Sequence, residues 1–298
     1  MLSVTILGNN SAVPAFGRNP TSQVVQTYDS TYLIDCGEGT QMQMSLYKIR
    51  RAKISHIFIS HLHGDHYFGL VGLLTSMSLL GRIHDVHLFA PKELEAIINR
   101  QFEVAMANLS YKLIFHPVTG EGFLTEDNSV TVHCFKMKHR IPCWGYLFKE
   151  KGKRNVDVGR AKSYEVPLEF YPNLQNGEDY VNKKGTIIPN EEVTFQTPKK
   201  TYAFCSDTVY DESLVDKIKG VDLLYHETTY LKAYSDRALL HFHSTTEQAA
   251  TIAKKAGVKK LIIGHFSSKY EVLDEFQKEA SETFPNTELA LQGVCFKI

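Results

Sequence analysis

Short apolar runs rich in β-branched and aromatic residues recur along the chain, and segments of helical apolar spacing lie between them. In the first half this pattern predicts strands near residues 3–8, 22–27, 31–35, 54–60 and 86–90, and a helix over 67–80. A second helix from about 91 to 108 and strands near 111–116 and 130–137 follow. The second half repeats the style, with strands at 201–205, 221–225, 260–263 and 288–291. Helices are predicted there over 245–256, stopped by Gly257, and over 271–283. Strands that alternate with helices point to an α/β fold. No short-period repeat or low-complexity tract interrupts them, which excludes solenoids.

One stretch departs from the pattern. Residues 149–198 carry Lys149, Lys151, Lys153, Arg154, Arg160, Lys162, Lys183 and Lys184, several Pro, Gly and Asn, and little periodicity. That segment reads as a flexible arm inserted into a single domain spanning 1–298, not as a domain of its own. The longest apolar stretch, 68–81, is too short to span a bilayer and is broken by Thr75, Ser76 and Ser78, so no membrane association is expected.

Composition narrows the classes only a little. With 298 residues and 43% hydrophobic content the chain can bury a large core. Lys and Arg total 33 and Asp and Glu total 33, so any footprint for a polyanion must be local. The first residues read as a strand without a basic leader, which argues against a signal peptide. Cys36, Cys134, Cys143, Cys205 and Cys295 form no Cys-x-x-Cys pair, and fit reduced thiols in a cytoplasm with no disulfide partner.

The candidate chemistry lies in His61-Leu62-His63-Gly64-Asp65-His66, which places three imidazoles and a carboxylate on one loop between a predicted strand and a predicted helix. Imidazole and carboxylate ligands without cysteine suit zinc, manganese or iron in an open catalytic site. If this loop is half of a two-metal site, other strand ends must supply the rest. His139 follows the strand ending at Lys138, Asp207 follows 201–206, and His265 follows 261–264. Seven further histidines (His56, His84, His87, His116, His133, His226 and His241) read as ordinary surface or core residues.

These residues carry a resemblance. The His-x-His-x-Asp-His loop, the turn Asp35-Cys36-Gly37-Glu38-Gly39-Thr40, the segment Phe204-Cys205-Ser206-Asp207-Thr208 and Gly264-His265-Phe266-Ser267-Ser268 together resemble the metallo-β-lactamase superfamily. More narrowly, His226-Glu227-Thr228-Thr229, with Thr228 where alanine is usual, and His243-Ser244-Thr245 resemble the ribonuclease Z branch, endonucleases that mature tRNA 3′ ends. The likeness spans essentially the whole chain.

The resemblance implies an αββα sandwich, two mixed β-sheets with flanking helices, and two zinc ions per subunit, with manganese as the alternative. It implies that His61, His63 and His139 hold one ion, that Asp65, His66 and His265 hold the other, and that Asp207 bridges them. Asp65 would also accept the proton of the attacking water, and Asp35 would orient the metal-binding loop without touching an ion. His243, held by Glu227, would protonate the departing ribose 3′ oxygen. The same residues also read as a helix start, with Ser244 or Thr245 as cap and Glu247 or Gln248 closing the box, and the two readings are compatible.

Cleavage of this polarity would leave a 3′ hydroxyl on the tRNA and a 5′ phosphate on the trailer. The arm occupies the position of the family's tRNA-binding exosite, where Lys151, Lys153, Arg154, Lys183 and Lys184 would neutralise phosphates. It lacks the usual Gly-Pro pair, and residues 166–172 stand at the expected tip. Residues 14–22 resemble the family's substrate loop without its usual lysine, leaving Arg18 as the phosphate contact. The resemblance further implies a homodimer acting on precursor tRNA. The rivals are a small-molecule phosphodiesterase or esterase on the same fold, and an RNA-binding subunit without activity.

Overall fold

The computed structural model describes residues 2–152 and 154–298, so Lys153 lies outside the described residues. Contacts divide the chain into one unit running to Lys149 and resuming at Thr201, and a second unit, Glu150–Lys200.

The larger unit holds two seven-stranded sheets. From edge to edge the first contains Cys295–Lys297, Ser3–Gly8, Ser22–Gln26, Thr31–Ile34, Ile54–Phe58, Val86–Ala90 and Leu113–Pro117. Its first four strands pair antiparallel and the rest parallel. The second contains Thr287–Leu289, Lys260–Gly264, Leu223–Glu227, Thr201–Cys205, Cys143–Glu150, Val130–Met137 and Gly122–Glu126. Its first four strands are parallel, and Cys143–Glu150 joins them antiparallel. Both sheets are mixed, as expected.

Side-chain parity builds the layers. Tyr32, Ile34, Phe58 and Phe89 point into one cluster with Tyr146, Phe148, Tyr202, Phe204, Tyr225 and Ile262, so the two sheets pack face to face. The residues that alternate with them point outward. Leu33, Ile57, Ile59 and Leu88 meet Leu70, Leu73, Leu74 and Met77 of the helix Leu70–Leu79 and Leu94 and Ile98 of Glu93–Val104. Ala203, Cys205, Leu224, Leu261 and Ile263 meet Ala250, Ile252 and Ala253 of Thr246–Ala256 and Phe276 of Asp274–Thr283. The result is the expected αββα sandwich, and each fully buried aromatic contributes roughly 1.5–3 kcal/mol.

Three departures from the sequence reading have physical causes. Cys143–Glu150 does not read as a strand from sequence, because Gly145 interrupts its short apolar run although Cys143 through Phe148 are all buried. Gly122–Glu126 is a largely exposed, bulged edge with a weak apolar signal. The helix predicted over 67–80 is split into Gly64–Tyr67 and Leu70–Leu79. Gly69 causes the split: its amide donates to Cys36 O at 2.9 Å, and a Cβ there would overlap Gly37 O.

The smaller unit is more ordered than its composition suggested. Strands Arg154–Val156 and Thr194–Gln196 pair, as do Tyr180–Val181 and Ile187–Ile188. The helix Val158–Ser163 is capped by Asp157, whose Oδ1 accepts from Arg160 N at 3.0 Å. Ala161, Val166, Leu174, Ile188 and Val193 form a core of their own. Val166 is therefore interior, not part of a tip. Lys183 and Lys184 lie instead on an exposed turn, pinned by Asn182 Oδ1, which accepts from Lys184 N and Thr186 N.

Candidate metal centre

Strand ends of both sheets converge at one edge of the sandwich. Asp35 follows Thr31–Ile34, His61 follows Ile54–Phe58, His139 follows Val130–Met137, Asp207 follows Thr201–Cys205, and His265 follows Lys260–Gly264. Parallel strands aim their C-terminal ends the same way, which is why residues distant in sequence meet there.

Two clusters result. His61 Nε2 lies 3.0 Å and His139 Nε2 3.1 Å from His63 Nδ1, and Asp207 Oδ2 stands 3.5 Å from His61 Nε2 and 3.8 Å from His139 Nε2. Asp65 Oδ2 stands 3.3 Å from His265 Nε2 and 3.6 Å from His66 Nε2. Asp207 reaches this group as well, with Oδ1 3.3 Å from His265 Nε2 and Oδ2 3.6 Å from His66 Nε2. All seven residues anticipated as ligands therefore share one site.

The donor set fits two divalent cations. Ligands held 2.0–2.1 Å from a tetrahedral ion stand about 3.3 Å apart, close to the spacings here. His66 Nε2 and Asp207 Oδ1 are buried without a hydrogen-bond partner among the described residues, an arrangement that costs stability unless something else satisfies them. Burial, reinforced by neighbouring histidines, lowers the pKa of His61 and brings that of His63 to about 4, so both are neutral ligands at pH 7. Burial alone would raise Asp65 and Asp207, but the surrounding imidazoles hold both carboxyls below their usual range.

Outer contacts orient the ligands His66, His61, His139 and Asp65. Asp35 Oδ2 lies 2.7 Å from His66 Nδ1 and accepts from Ser60 Oγ at 2.9 Å, while its Oδ1 accepts from Ser60 N at 2.7 Å. Asp35 itself has φ 54°, a left-handed conformation that turns its carboxylate under the loop. Ser60 Oγ is 3.0 Å from His61 Nδ1, His139 Nδ1 donates to Phe242 O at 2.8 Å, and Asp65 Oδ2 accepts from Ala12 N at 2.8 Å. Ser60 and the Ala12 amide were not singled out from sequence. Ser60 could have been, because it directly precedes His61 at the strand end.

Glu227 is fully buried and saturated. Its Oε1 accepts from Ser244 N at 2.7 Å and Thr208 N at 3.2 Å, its Oε2 accepts from Thr229 N at 2.9 Å and Thr229 Oγ1 at 2.8 Å, and His243 Nδ1 lies 3.1 Å from Oε1. Burial would lower the His243 pKa, but the charges of Glu227 and Asp207 prevail and raise it to about 9. Thr245 caps the next helix with Gln248 closing the box, so the structural and site readings of this loop coexist. His226 turns away, its Nδ1 2.7 Å from Glu227 O.

A cleft of about 420 Å³ opens over the clusters, walled by Ser11, Phe68, Arg140, Tyr230, His243 and Ser268 among others. Arg18 does not reach it. Its guanidinium is spent on Asn10 Oδ1 at 3.0 Å, Glu271 O at 2.9 Å and Tyr270 O, so it ties the N-terminal loop to residues 270–271 instead of offering a phosphate contact. Arg154 is likewise engaged within its own unit, by Asn190 Oδ1.

Ribonuclease Z of Bacteroides fragilis strain YCH46 is 43% identical over 297 residues, covering 98% of both chains. The chain belongs to the ribonuclease Z family. Among solved structures, human tRNase Z, short form, superposes with a TM-score of 0.74 at 26% identity and covers 99% of each chain. A metallo-β-lactamase fold protein, YhfI from Bacillus subtilis, gives a TM-score of 0.69 at 19% identity over 99% of this chain and 98% of its own, a likeness of fold alone. Residues 2–151 also match the family model described as anti-Pycsar protein Apyc1, and by that match the first half belongs with that family too. That match ends before Asp207, Glu227, His243 and His265, whereas the ribonuclease Z relatives extend over all four.

Proposed function

We propose that this protein is a zinc-dependent endoribonuclease that removes the 3′ trailer from precursor tRNA. The observation that carries the reading is the pair formed by buried Glu227 and His243 at the cleft wall, with His243 Nδ1 3.9 Å from the Asp207 carboxylate that reaches both clusters. A small-molecule phosphodiesterase needs no further acid for an activated leaving group, but a ribose 3′ oxygen departs poorly unless it is protonated.

His61, His63 and His139 would hold one ion, Asp65, His66 and His265 the other, and Asp207 would contact both. Two divalent cations held there would lower the pKa of a water and neutralise charge on a phosphodiester. Asp65 Oδ2 faces the imidazoles and takes the Ala12 amide, which leaves Oδ1 to accept the proton of the attacking water. On the opposite side of phosphorus His243, its Nδ1 anchored on Glu227, delivers a proton from Nε2 to the leaving oxygen. The products are a 3′ hydroxyl on the tRNA and a 5′ phosphate on the trailer.

The Glu150–Lys200 unit serves as the tRNA-binding arm through the exposed Lys183 and Lys184, joined by Lys151 and Lys153. The protein works as a homodimer. Met42 and Leu46 of the helix Thr40–Leu46, and Phe68, Leu79 and Leu80 beside or within Leu70–Leu79, are exposed apolar residues on neighbouring helices, as a subunit interface requires. The protein acts in the cytoplasm, where its five free cysteines would stay reduced; no helix among the described residues is long and apolar enough to cross a membrane.

The test uses purified protein, with and without chelator and added zinc, on a labelled precursor bearing a 3′ trailer, with Asp65→Ala in parallel. Metal-dependent cutting just after the discriminator base, leaving a 3′ hydroxyl and lost in the variant, supports the reading. Turnover of bis-p-nitrophenyl phosphate without cutting of any precursor moves the small-molecule phosphodiesterase to first place.

A further inference from the structure

His63 has two ring nitrogens with different neighbours. Nδ1 is the one that faces His61 Nε2 and His139 Nε2, at 3.0 and 3.1 Å, so Nδ1 is its ligand atom. A neutral imidazole carries one hydrogen, which must then sit on Nε2. That Nε2–H lies 3.5 Å from Nη2 of Arg140, and a guanidinium has donors only. Two donors side by side cannot bond to each other. They share a need for an acceptor.

Arg140 is exposed, lines the cleft with His63, and has no carboxylate partner among the described residues. A cation left beside a cation-binding site is unfavourable unless an anion joins it. The acceptor is not the reacting group. Nε2 is the nitrogen turned away from the clusters, so what it binds lies outside the space between Asp207 and the imidazoles. An RNA strand threaded through the cleft presents its next phosphate there, and Arg with a second N–H makes a charge-assisted cradle for phosphate oxygens.

We propose that Arg140 and the Nε2–H of His63 form a phosphate-binding pair for the linkage one nucleotide away from the scissile bond, placing the strand in register. The inference rests on the endoribonuclease reading. Arg140 is a positioning residue, since it acts on the strand and not on the reacting atoms.

The pair is tested by the affinity of a precursor tRNA for His243→Ala protein, in which cutting is slowed, with Arg140 intact, as Arg140→Ala and as Arg140→Lys, across a series of salt concentrations. Arg140→Ala weakens binding about tenfold, as for one hydrogen-bonded charge, and makes the log–log salt slope shallower by about 0.7. Arg140→Lys keeps the slope and loses part of the affinity. Metal content by mass spectrometry stays at the parent value in both. A precursor with an uncharged methylphosphonate at one linkage flanking the scissile bond then loses about the same factor against the parent and nothing further against Arg140→Ala. Unchanged affinity and slope in Arg140→Ala, or losses that add for both flanking linkages, overturn the pair while leaving the endoribonuclease reading intact. Wild-type protein that neither binds nor cuts any precursor overturns both.

Discussion

Glu227 Oε1 receives His243 Nδ1 at 3.1 Å while both of its oxygens already accept backbone amides, from Thr208 and Ser244 on one side and Thr229 on the other. The carboxylate therefore has no side on which an NH₂ group can be tolerated. Glu227→Gln must set its amide nitrogen against a donor in either flip, leaving buried donors unpaired at about 1–3 kcal/mol. The expected outcome is a lower thermal midpoint together with a reduced kcat. A variant that melts like wild type and cuts at full rate would show that the network does not hold the imidazole.

Loss of His243 should depend on the leaving group. His243→Ala is expected to slow cutting of an ordinary precursor by about 10²–10⁴-fold, the range for a general acid. A precursor with a 3′ sulfur at the scissile bond has a leaving group that departs without a proton, and the variant should cut it at close to the wild-type rate. Equal defects on both substrates would assign His243 to binding.

Gly37 is a lever on the metal loop from outside it. A Cβ there would collide with Asp65 O and press on Pro20 Cβ at 2.7 Å, while Thr40 Oγ1 donates to Gly37 O at 2.7 Å and holds the turn from behind. Gly37→Ala should push the backbone of Asp65 out of place. Metal content measured by mass spectrometry should fall, and far-ultraviolet circular dichroism should stay near wild type because the sheets do not depend on this turn. Full metal occupancy in the variant would mean that the loop yields at no cost.

Stability should fall in mild acid through histidines remote from the site. His56 and His87 stack at 4.9 Å between ring centres, His87 Nδ1 lies 2.9 Å from His116 Nε2, and burial, then the charge of His87, brings His56 to a pKa of about 4. Unfolded, His56 titrates near 6.5. The unfolded chain thus binds the proton first, so this group's contribution is complete above pH 6.5 and is lost as pH falls toward 4. Thermal midpoints measured across that window should drop more steeply for wild type than for His56→Phe, and parallel curves would remove the stack from the account.

Much of this was legible before any coordinates. Most strands whose two faces are both buried announce themselves as apolar runs, and five of the seven ligands (His61, His63, His139, Asp207 and His265) sit one to three residues past such a run, so they could be named in advance, with Asp65 and His66 following on the same loop. What escaped notice was interaction between segments. Ser60 matters because Asp35, 25 residues earlier, and His61 both reach its hydroxyl. Arg18 carried a correct charge and a wrong expectation, because nothing local reveals that residues 270 and 271 supply carbonyls for its guanidinium. In the Glu150–Lys200 unit, the apolar residues of the small core are spread over helices of only four to six residues and strands of two or three, too short for periodicity to register.

That unit offers the sharpest separation of binding from chemistry. Lys183 and Lys184 extend from an exposed turn whose geometry is set by Asn182 and by Gly185 at φ 79°, so their side chains can be changed without touching the unit's core. Replacing both with glutamate reverses two charges that would otherwise face phosphates. For a precursor tRNA, KM should rise by at least about tenfold with kcat little changed, and the effect should shrink as salt is added. Hydrolysis of bis-p-nitrophenyl phosphate, which is too small to reach a second surface, should stay at the wild-type rate. An unchanged KM for precursor would remove these two lysines from the substrate interface, and a parallel loss on the small phosphodiester would mean that the substitutions disturb the catalytic unit.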